Sequence, residues 1–242
     1  MKFDTIFDFY QREADNYDNR RWSSPAGIIV NVVQLKIVED FTSDLSCRKC
    51  LEIGAGTGRF TRVLLEKFTE ITACDISDAM LDKLRSRWKS HPRYQFLHMV
   101  QSDVTNMPFN LEFGIVLCIN ALSHIFKFKD VIASAHKALE TNGIFLLNIP
   151  NYLSLYLPFG LFVNFRKKSL TRNVYTRWYS FREIKRVMEE VGFRLEEVKG
   201  QLHFPTWTPS FLLPLLKIID KNFRNGLRAR FAPIVFIKAR KI

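Results

Sequence analysis

The sequence predicts an α/β fold with a doubly wound, mostly parallel sheet and helices on both faces. After residue 45, short apolar runs alternate with segments whose apolar residues repeat at helical spacing. Parallel strands need crossover helices between them, so this alternation favours a parallel sheet. The first apolar run ends in a glycine-rich turn, and ligands of such sheets bind at the carboxyl ends of the strands.

Seven strands are predicted. The first five are apolar runs bounded by turn residues, and the fourth is apolar enough to be buried on both faces. The last two follow a strongly patterned helix near the C-terminus. In chain order the predicted strands are 50–54 (CLEIG), 70–75 (EITACD), 94–103, 113–120 (FGIVLCIN), 144–150 (IFLLNIP), 193–200 and 232–241.

Helical patterns fill the intervals between the strands. One spans 58–68, and a second begins at the capping residue Ser77. A third runs through Val131 to Leu139, with Gly143 expected in the left-handed position after its end. The clearest helix starts at Ser180, which should form a capping box with Glu183, and it should stop at Gly192. Its register places Ile184, Val187, Met188 and Val191 on one apolar stripe.

Three segments fall outside this alternation. Residues 1–44 are expected to form an N-terminal helical lid, and residues 45–242 the main domain. That domain carries two apolar, proline-interrupted insertions at about 151–178 and 201–230, each followed by basic residues. Both are expected to roof the crevice at the carboxyl ends of the strands.

The formal net charge of +12 is unevenly distributed. Residues 1–165 are balanced, whereas residues 166–242 contain 18 basic and 6 acidic residues. The basic third suggests an anionic partner, although a solvated basic face would have the same composition. The N-terminus is not a secretory signal, and no apolar run reaches the roughly 18 residues of a membrane span, so a cytoplasmic protein is expected.

The cysteines do not indicate a metal site. Cys47 and Cys50 have C-x-x-C spacing, but no second pair completes a zinc site, and Cys50 runs directly into a strand. We expect reduced thiols that pack in the core, and no metal.

The glycine-rich turn, with the acids that follow the next strands, is the main indication of a ligand site. Gly54, Gly56 and Gly58 alternate, whereas dinucleotide folds usually space glycines as G-x-G-x-x-G. Arg59-Phe60 stands where a P-loop needs Lys-Ser/Thr, which excludes that motif. Asp75 ends the second strand 21 residues after the first glycine, the offset of a ribose-binding carboxylate. A second acid, Asp103, follows the third strand and could accept a hydrogen bond from an adenine amino group.

From Leu51 to Pro150 the sequence resembles the class I S-adenosylmethionine-dependent methyltransferases, in particular small-molecule members of the ubiquinone and menaquinone biosynthesis type. LEIGAGTGRF is similar to the family's first motif, TACDISDAML to its second, QSDVTNMPF to its third and FGIVLCINALSHI to its fourth. The resemblance implies S-adenosylmethionine as cofactor. It also implies the sheet order 3-2-1-4-5-7-6, with the last strand antiparallel.

The resemblance further assigns residues to the cofactor. The glycines would approach its methionine part, two apolar residues would sandwich the adenine ring, and one backbone group would meet the adenine amino group. The segment NYDNRRW is similar to N-terminal lids of small-molecule members, in which Arg21 or Tyr17 would touch the methionine carboxylate. The implied cofactor-binding residues are Glu52, Gly54, Ala55, Gly56, Gly58, Asp75, Ile76, Asp103, Val104 and Asn120.

The acceptor is constrained mainly by what the fourth motif lacks. INALSHI has neither the Asp/Asn-Pro-Pro-aromatic signature of base amino methylation nor a Pro-Cys nucleophile. His124 is the candidate general base, with His203 as a second choice, and a structural histidine is the alternative for both. We expect oxygen or carbon methylation of a small apolar or lipid-like acceptor. RNA methylation by the basic C-terminal third remains the alternative, and the apolar insertions also suggest peripheral contact with an anionic membrane.

Overall fold

The computed structural model describes residues 5–168, 174–205 and 207–242. They form one seven-stranded sheet with helices on both faces. The strands are β1 (Lys49–Ile53), β2 (Glu70–Asp75), β3 (Leu97–Gln101), β4 (Phe113–Cys118), β5 (Leu139–Pro150), β6 (Phe193–Gln201) and β7 (Ile234–Lys241).

The strand order is β3-β2-β1-β4-β5-β7-β6, which confirms the predicted order. β3, β2, β1, β4 and β5 are parallel, so their carboxyl ends lie along one edge of the sheet. β7 runs antiparallel to both β5 and β6, as expected for the last strand. Strand order reverses at β1, where β2 lies on one side and β4 on the other, and this is where ligands of doubly wound sheets bind.

The helices are α1 (Ile6–Glu13), α2 (Tyr17–Trp22), α3 (Pro25–Thr42), α4 (Thr61–Lys67), α5 (Asp78–Trp88), α6 (Phe128–Ala138), α7 (Leu157–Arg166), α8 (Phe181–Val191), α9 (Leu213–Asn222) and α10 (Gly226–Ala229). Helices α3, α4 and α5 contribute to the apolar cluster on one face of the sheet, and α6 and α8 to the cluster on the other. None of the helices in the described residues is long and apolar enough to cross a bilayer.

Two of the predicted helix starts follow from side-chain caps. Ser77 Oγ accepts a hydrogen bond from the backbone N–H of Met80 at 3.2 Å, and Ser180 Oγ accepts one from Glu183 at 3.1 Å. Only half of the predicted capping box is seen, because the Glu183 carboxylate accepts instead from the Arg177 guanidinium at 2.6 Å. Gly192, at φ +103°, ends α8 in the left-handed conformation as predicted.

The predicted end of the third helix is wrong. Helix α6 stops at Ala138, and Leu139 already pairs with Phe113 as the first residue of β5. The register between β4 and β5 then shifts, and Asn142 rather than Gly143 takes the left-handed conformation, at φ +62°. Gly143 instead lets the chain pack closely against the Glu140 carbonyl oxygen, because a Cβ at this position would lie only 2.9 Å from that oxygen.

The cysteines are free thiols. Cys50, Cys74 and Cys118 are buried on β1, β2 and β4, whereas Cys47 is half-buried. Burial raises the pKa of the Cys74 and Cys118 thiols to about 12, so both are protonated packing groups at neutral pH.

Candidate functional site

The turn after β1 is shaped by three glycines in left-handed conformations. Gly54, Gly56 and Gly58 have φ values of +65°, +55° and +77°. A Cβ on Gly54 would lie 2.6 Å from the Cβ of Ala121, and one on Gly58 would lie 2.7 Å from a carbon of Leu84. A Cβ on Gly56 would have no neighbour within 4 Å. Two glycines therefore permit close packing, and Gly56 presents bare backbone to open space.

Asp75, at the end of β2, holds this turn in place. One carboxylate oxygen accepts from the Gly56 N–H at 2.8 Å, and the other accepts from the Ser77 N–H at 3.0 Å. The side chain is only 7% exposed, and burial raises the pKa of its carboxyl group. The acid thus ties the glycine turn to the start of α5 at the edge of the crevice.

A cavity of about 380 Å³ opens at this edge of the sheet. Its size lies within the range of small-molecule sites. Nine of the residues predicted from the sequence line it, drawn from the turns after β1, β2, β3 and β4 and from α2. These are Tyr17, Gly54, Gly56, Asp75, Ile76, Asp103, Val104, Asn120 and His124.

Four of the residues predicted to bind the cofactor do not line the cavity, namely Glu52, Ala55, Gly58 and Arg21. The Glu52 carboxyl group is buried and accepts from the Thr61 hydroxyl at 2.5 Å. Burial raises its pKa to about 8, so it is largely protonated at neutral pH. The Arg21 guanidinium lies 3.7 Å from the centroid of the Tyr17 ring, and Tyr17 itself lines the cavity.

A buried polar network behind the cavity was not predicted. The Gln34 side-chain oxygen accepts from Arg59 at 2.7 Å and from the Asn120 side chain at 2.9 Å. Asn120 also exchanges two hydrogen bonds with the Asn148 side chain, at 2.6 and 2.8 Å. These contacts hold Asn120 at φ +60°, an uncommon conformation for a residue other than glycine. The network therefore fixes the turn after β4 that borders the cavity.

Helices α1 and α2, here called the N-terminal pair, close one side of the cavity with Ile6, Tyr10 and Tyr17. Polar contacts hold the pair to the turns that follow β1 and β2. The Thr57 hydroxyl donates to Asp18 at 2.8 Å, and the Ser77 hydroxyl donates to the Gln11 side chain at 2.9 Å. Two ion pairs bind it to α5, Asp15 with Lys83 and Asp18 with Arg87.

His124 faces the cavity from the turn after β4, beside Ile125 and Phe126. Its Nδ1 lies 3.0 Å from the carbonyl oxygen of Tyr175. When Nδ1 carries the ring proton, it can donate to this carbonyl, which can only accept, and the lone pair of a neutral ring is then at Nε2. The Tyr10 ring meets His124 edge-on, with ring centroids 5.9 Å apart. His203 does not line this cavity.

No group of three or more His, Cys, Asp or Glu side chains within residues 5–168, 174–205 and 207–242 could hold a metal ion. The polar groups of the cavity include backbone amides, carboxylates, hydroxyls, the Asn120 side-chain amide, one imidazole and the Lys127 ammonium group. They suit an organic ligand with hydroxyl and amino groups.

A family model described as "Methyltransferase domain" matches residues 51–145. A ubiquinone biosynthesis O-methyltransferase of Rickettsia canadensis is 21% identical over 181 residues, covering 72% of this chain and 76% of that protein. Among solved structures, an S-adenosylmethionine-dependent methyltransferase of Thermotoga maritima, described as a possible histamine N-methyltransferase, has a TM-score of 0.70. It is 18% identical and covers 98% of this chain and 100% of its own.

A second solved structure, the N-methyltransferase NodS of Bradyrhizobium japonicum in complex with S-adenosyl-L-homocysteine, has a TM-score of 0.66. It is 14% identical and covers 98% of this chain and 99% of its own. The matched domain and the sheet order together indicate a methyltransferase that uses S-adenosylmethionine as its cofactor.

The crevice suits that cofactor. The missing Cβ of Gly56 leaves one wall open to close approach, and the buried Asp75 carboxylate stands beside it. Ile76 and Val104 supply apolar walls of the same cavity.

Proposed function

We propose that the chain transfers the methyl group of S-adenosylmethionine to an oxygen or carbon atom of a small, apolar acceptor. The observation that carries this proposal is the composition of one cavity. One side, with Gly54, Gly56 and Asp75, suits an adenosyl cofactor. The other side combines His124 and Lys127 with apolar and aromatic side chains. The likeness to a ubiquinone biosynthesis O-methyltransferase supports an oxygen acceptor of the quinone type.

On the cofactor side, each assignment follows the chemistry of the group. Asp75 accepts from the ribose hydroxyls, and Asp103 accepts from the adenine amino group at the outer edge of the cavity. Ile76 and Val104 sandwich the adenine ring, with the backbone of Asn120 beside its amino group. Tyr17, supported by Arg21 stacked on its ring, lies toward the methionine carboxylate. Gly54 and Gly56 leave room for the methionine chain, while Glu52, Ala55 and Gly58 support the turn from behind.

The N-terminal pair acts as a lid. It carries three lining residues, Ile6, Tyr10 and Tyr17, on short helices that several hydrogen bonds and ion pairs hold to the rest of the chain. Such contacts can open without exposing a large apolar core, which lets the cofactor and acceptor enter. The cofactor supplies an activated methyl group with a neutral leaving group. The closed lid excludes water and aligns the acceptor, and alignment of this kind contributes about 7–11 kcal/mol.

His124 removes the proton of a hydroxyl acceptor. With Nδ1 donating to the Tyr175 carbonyl, Nε2 is the nitrogen that takes this proton. Ile125, Phe126 and Tyr10 surround the ring and favour an acceptor with an apolar body. An amine that is already neutral or a carbanion that is already formed would not need this base, whereas a hydroxyl acceptor must give up its proton and gives the histidine a purpose.

The proposal is tested with a metabolite extract and S-adenosylmethionine labelled in its methyl group. We expect labelled product in the organic phase. His124→Gln should lower kcat for that product by about 10²–10⁴-fold while the Kd for S-adenosylhomocysteine, measured by calorimetry, changes little. Label confined to macromolecules would reject a small-molecule acceptor. Unchanged kcat in the His124 variant would reject the base while leaving the acceptor class standing.

A further inference from the structure

Exposed apolar side chains are concentrated in one part of the molecule. Among the described residues, 14 of the 20 large hydrophobic side chains that are exposed lie between positions 153 and 231. Contiguous apolar surface of this kind marks an interaction site on a soluble protein. The 14 residues are Leu153, Leu155, Leu157, Phe159, Leu161, Phe162, Phe165, Trp207, Phe211, Leu212, Leu215, Ile218, Leu227 and Phe231.

Helix α7 packs by one face and presents the other to solvent. Gly160 and Val163 are buried, and a Cβ on Gly160 would lie 2.5 Å from the Cβ of Tyr152, so this face is tightly held. The opposite side carries Phe159, Phe162 and Phe165 at three-residue spacing. Phe165 is 88% exposed. Packing among the described residues therefore does not explain the aromatic side chains of α7.

The segment from Trp207 through α9 has the same character. Leu213 is buried in a small cluster with Ala26 and Val30 of α3, which anchors the segment to the domain. Trp207 and Phe211 are 80% and 79% exposed, and Leu215 and Ile218 of α9 also face outward.

Hydrogen bonds join the two segments. The Tyr156 hydroxyl, just before α7, donates to the carbonyl oxygen of His203 at 2.8 Å. The Asn151 side chain donates to the carbonyl oxygens of Arg230 and Ala232 at 3.0 and 3.1 Å. Residues 153–168 and 207–231 therefore lie next to each other, and we call their exposed side the apolar-basic surface.

The charge of this surface has one sign. Residues 153–168 and 207–231 contain eight basic residues and one acid. That acid, Asp220, is buried, accepts from the Leu202 N–H at 2.7 Å and pairs with Arg224. No carboxylate in these two segments is therefore exposed. The exposed cations are Arg166, Lys167, Lys217, Lys221, Arg228 and Arg230.

We infer that the apolar-basic surface docks on an anionic phospholipid bilayer. Large side chains on short helices, flanked by lysine and arginine and free of exposed acids, are the features of helices that lie in a membrane interface. RNA fits less well, because aliphatic residues such as Leu155, Leu215 and Ile218 give bases nothing to stack on. The inference does not depend on methyl transfer, since it concerns a surface apart from the residues that line the cavity.

The test is flotation of the purified full chain with vesicles, without cofactor. Binding is expected to vesicles of phosphatidylcholine mixed with phosphatidylglycerol, to be weak with phosphatidylcholine alone, and to fall as salt is raised. The double variants Phe165→Glu/Phe211→Glu and Lys217→Glu/Lys221→Glu should each bind at least tenfold more weakly. Their calorimetric affinity for S-adenosylhomocysteine should match that of the unaltered chain, which shows that they fold.

Matched controls lie outside the surface. Ile242 is 70% exposed at the opposite edge of the sheet, and Lys89 is an exposed cation at the end of α5. Ile242→Glu and Lys89→Glu should bind vesicles like the unaltered chain. The inference is overturned if the unaltered chain fails to float with anionic vesicles, if controls and surface variants lose binding equally, or if the surface binds RNA in preference to vesicles. The labelled-methyl assay reports on the acceptor independently of each outcome.

Discussion

Replacing Glu52 by glutamine should stabilise the protein relative to the unaltered chain, and the difference in free energy of unfolding should grow as the pH rises. In the folded chain the side chain is 4% exposed, and burial raises its pKa from 4.5 to about 8, with Thr61 and Arg59 acting in the opposite direction. The folded state therefore binds a proton that the unfolded state releases above pH 4.5. The contribution of this proton to stability is complete below pH 4.5 and is lost as the pH rises toward 8.

The size of the effect follows from the pKa difference. A shift of about 3.5 units at about 1.36 kcal/mol per unit amounts to roughly 5 kcal/mol between acidic pH and pH 8. Glu52→Gln carries no proton to lose, and its side-chain oxygen can still accept from the Thr61 hydroxyl. The variant should match the unaltered chain near pH 4 and exceed its free energy of unfolding by a growing margin at higher pH.

The measurement is urea unfolding from pH 4 to pH 9. Glu66→Gln is the matched control, since this glutamate lies on the exposed side of α4 and pairs with Arg62. Its unfolding curve should follow that of the unaltered chain. A difference between Glu52→Gln and the unaltered chain that does not change with pH would refute the reasoning, because it would mean that Glu52 keeps the same protonation in both states.

Three further predictions concern the turn and the lid. Gly56→Ala and Gly226→Ala each force a side chain into a left-handed conformation with no close neighbour, so both should lose about 1–2 kcal/mol of stability. Only Gly56→Ala should also weaken S-adenosylmethionine binding, by at least tenfold in calorimetry. Equal affinities of the two variants would contradict the placement of the cofactor against Gly56. Asp18→Asn should speed hydrogen exchange in α2 and cofactor release, and unchanged exchange would argue against the lid. Trp88→Phe removes the indole N–H that bonds to the Gly58 carbonyl at 2.9 Å and should cost about 1 kcal/mol in urea unfolding.

The sheet and the glycine turn were predictable because their signals are local. Apolar runs and helical stripes alternate along the chain, and the turn, Asp75 and Asp103 each follow a strand within a few residues. The order of the strands needed the family resemblance, since periodicity does not say which strands are neighbours. The resemblance gave the order that the structure has.

The start of β5 was mispredicted because tertiary pairing overrode the local pattern. Leu139 continues the helical stripe of Ile132 and Ala135, and it is buried in either conformation. Its pairing with Phe113 draws it into the sheet, and Asn142 absorbs the irregularity with a positive φ. A single sequence carries no signal for such a choice.

The polar network behind the cavity could not be found from sequence for a different reason. Gln34, Arg59, Asn120 and Asn148 are far apart in the chain, and each residue type is usually exposed. Arg59 in particular follows the glycine motif where a solvated side chain would be expected. Burial lowers the pKa of its guanidinium to about 10, so it remains charged at neutral pH and requires the oxygens of Gln34 and Asn31.

The two sides of the proposed site are encoded differently along the chain. The cofactor side is formed by turns that follow the parallel strands, and these turns lie within the matched domain of residues 51–145. The acceptor side draws Ile6 and Tyr10 from a helix that precedes that domain, and the Tyr175 carbonyl beside His124 from a segment that follows it. Likeness over the matched domain therefore reports on the cofactor and says little about the acceptor. Exchanging α1 for that of a relative should alter acceptor preference while S-adenosylmethionine affinity changes much less, because Tyr17, Gly54, Gly56 and Asp75 stay in place.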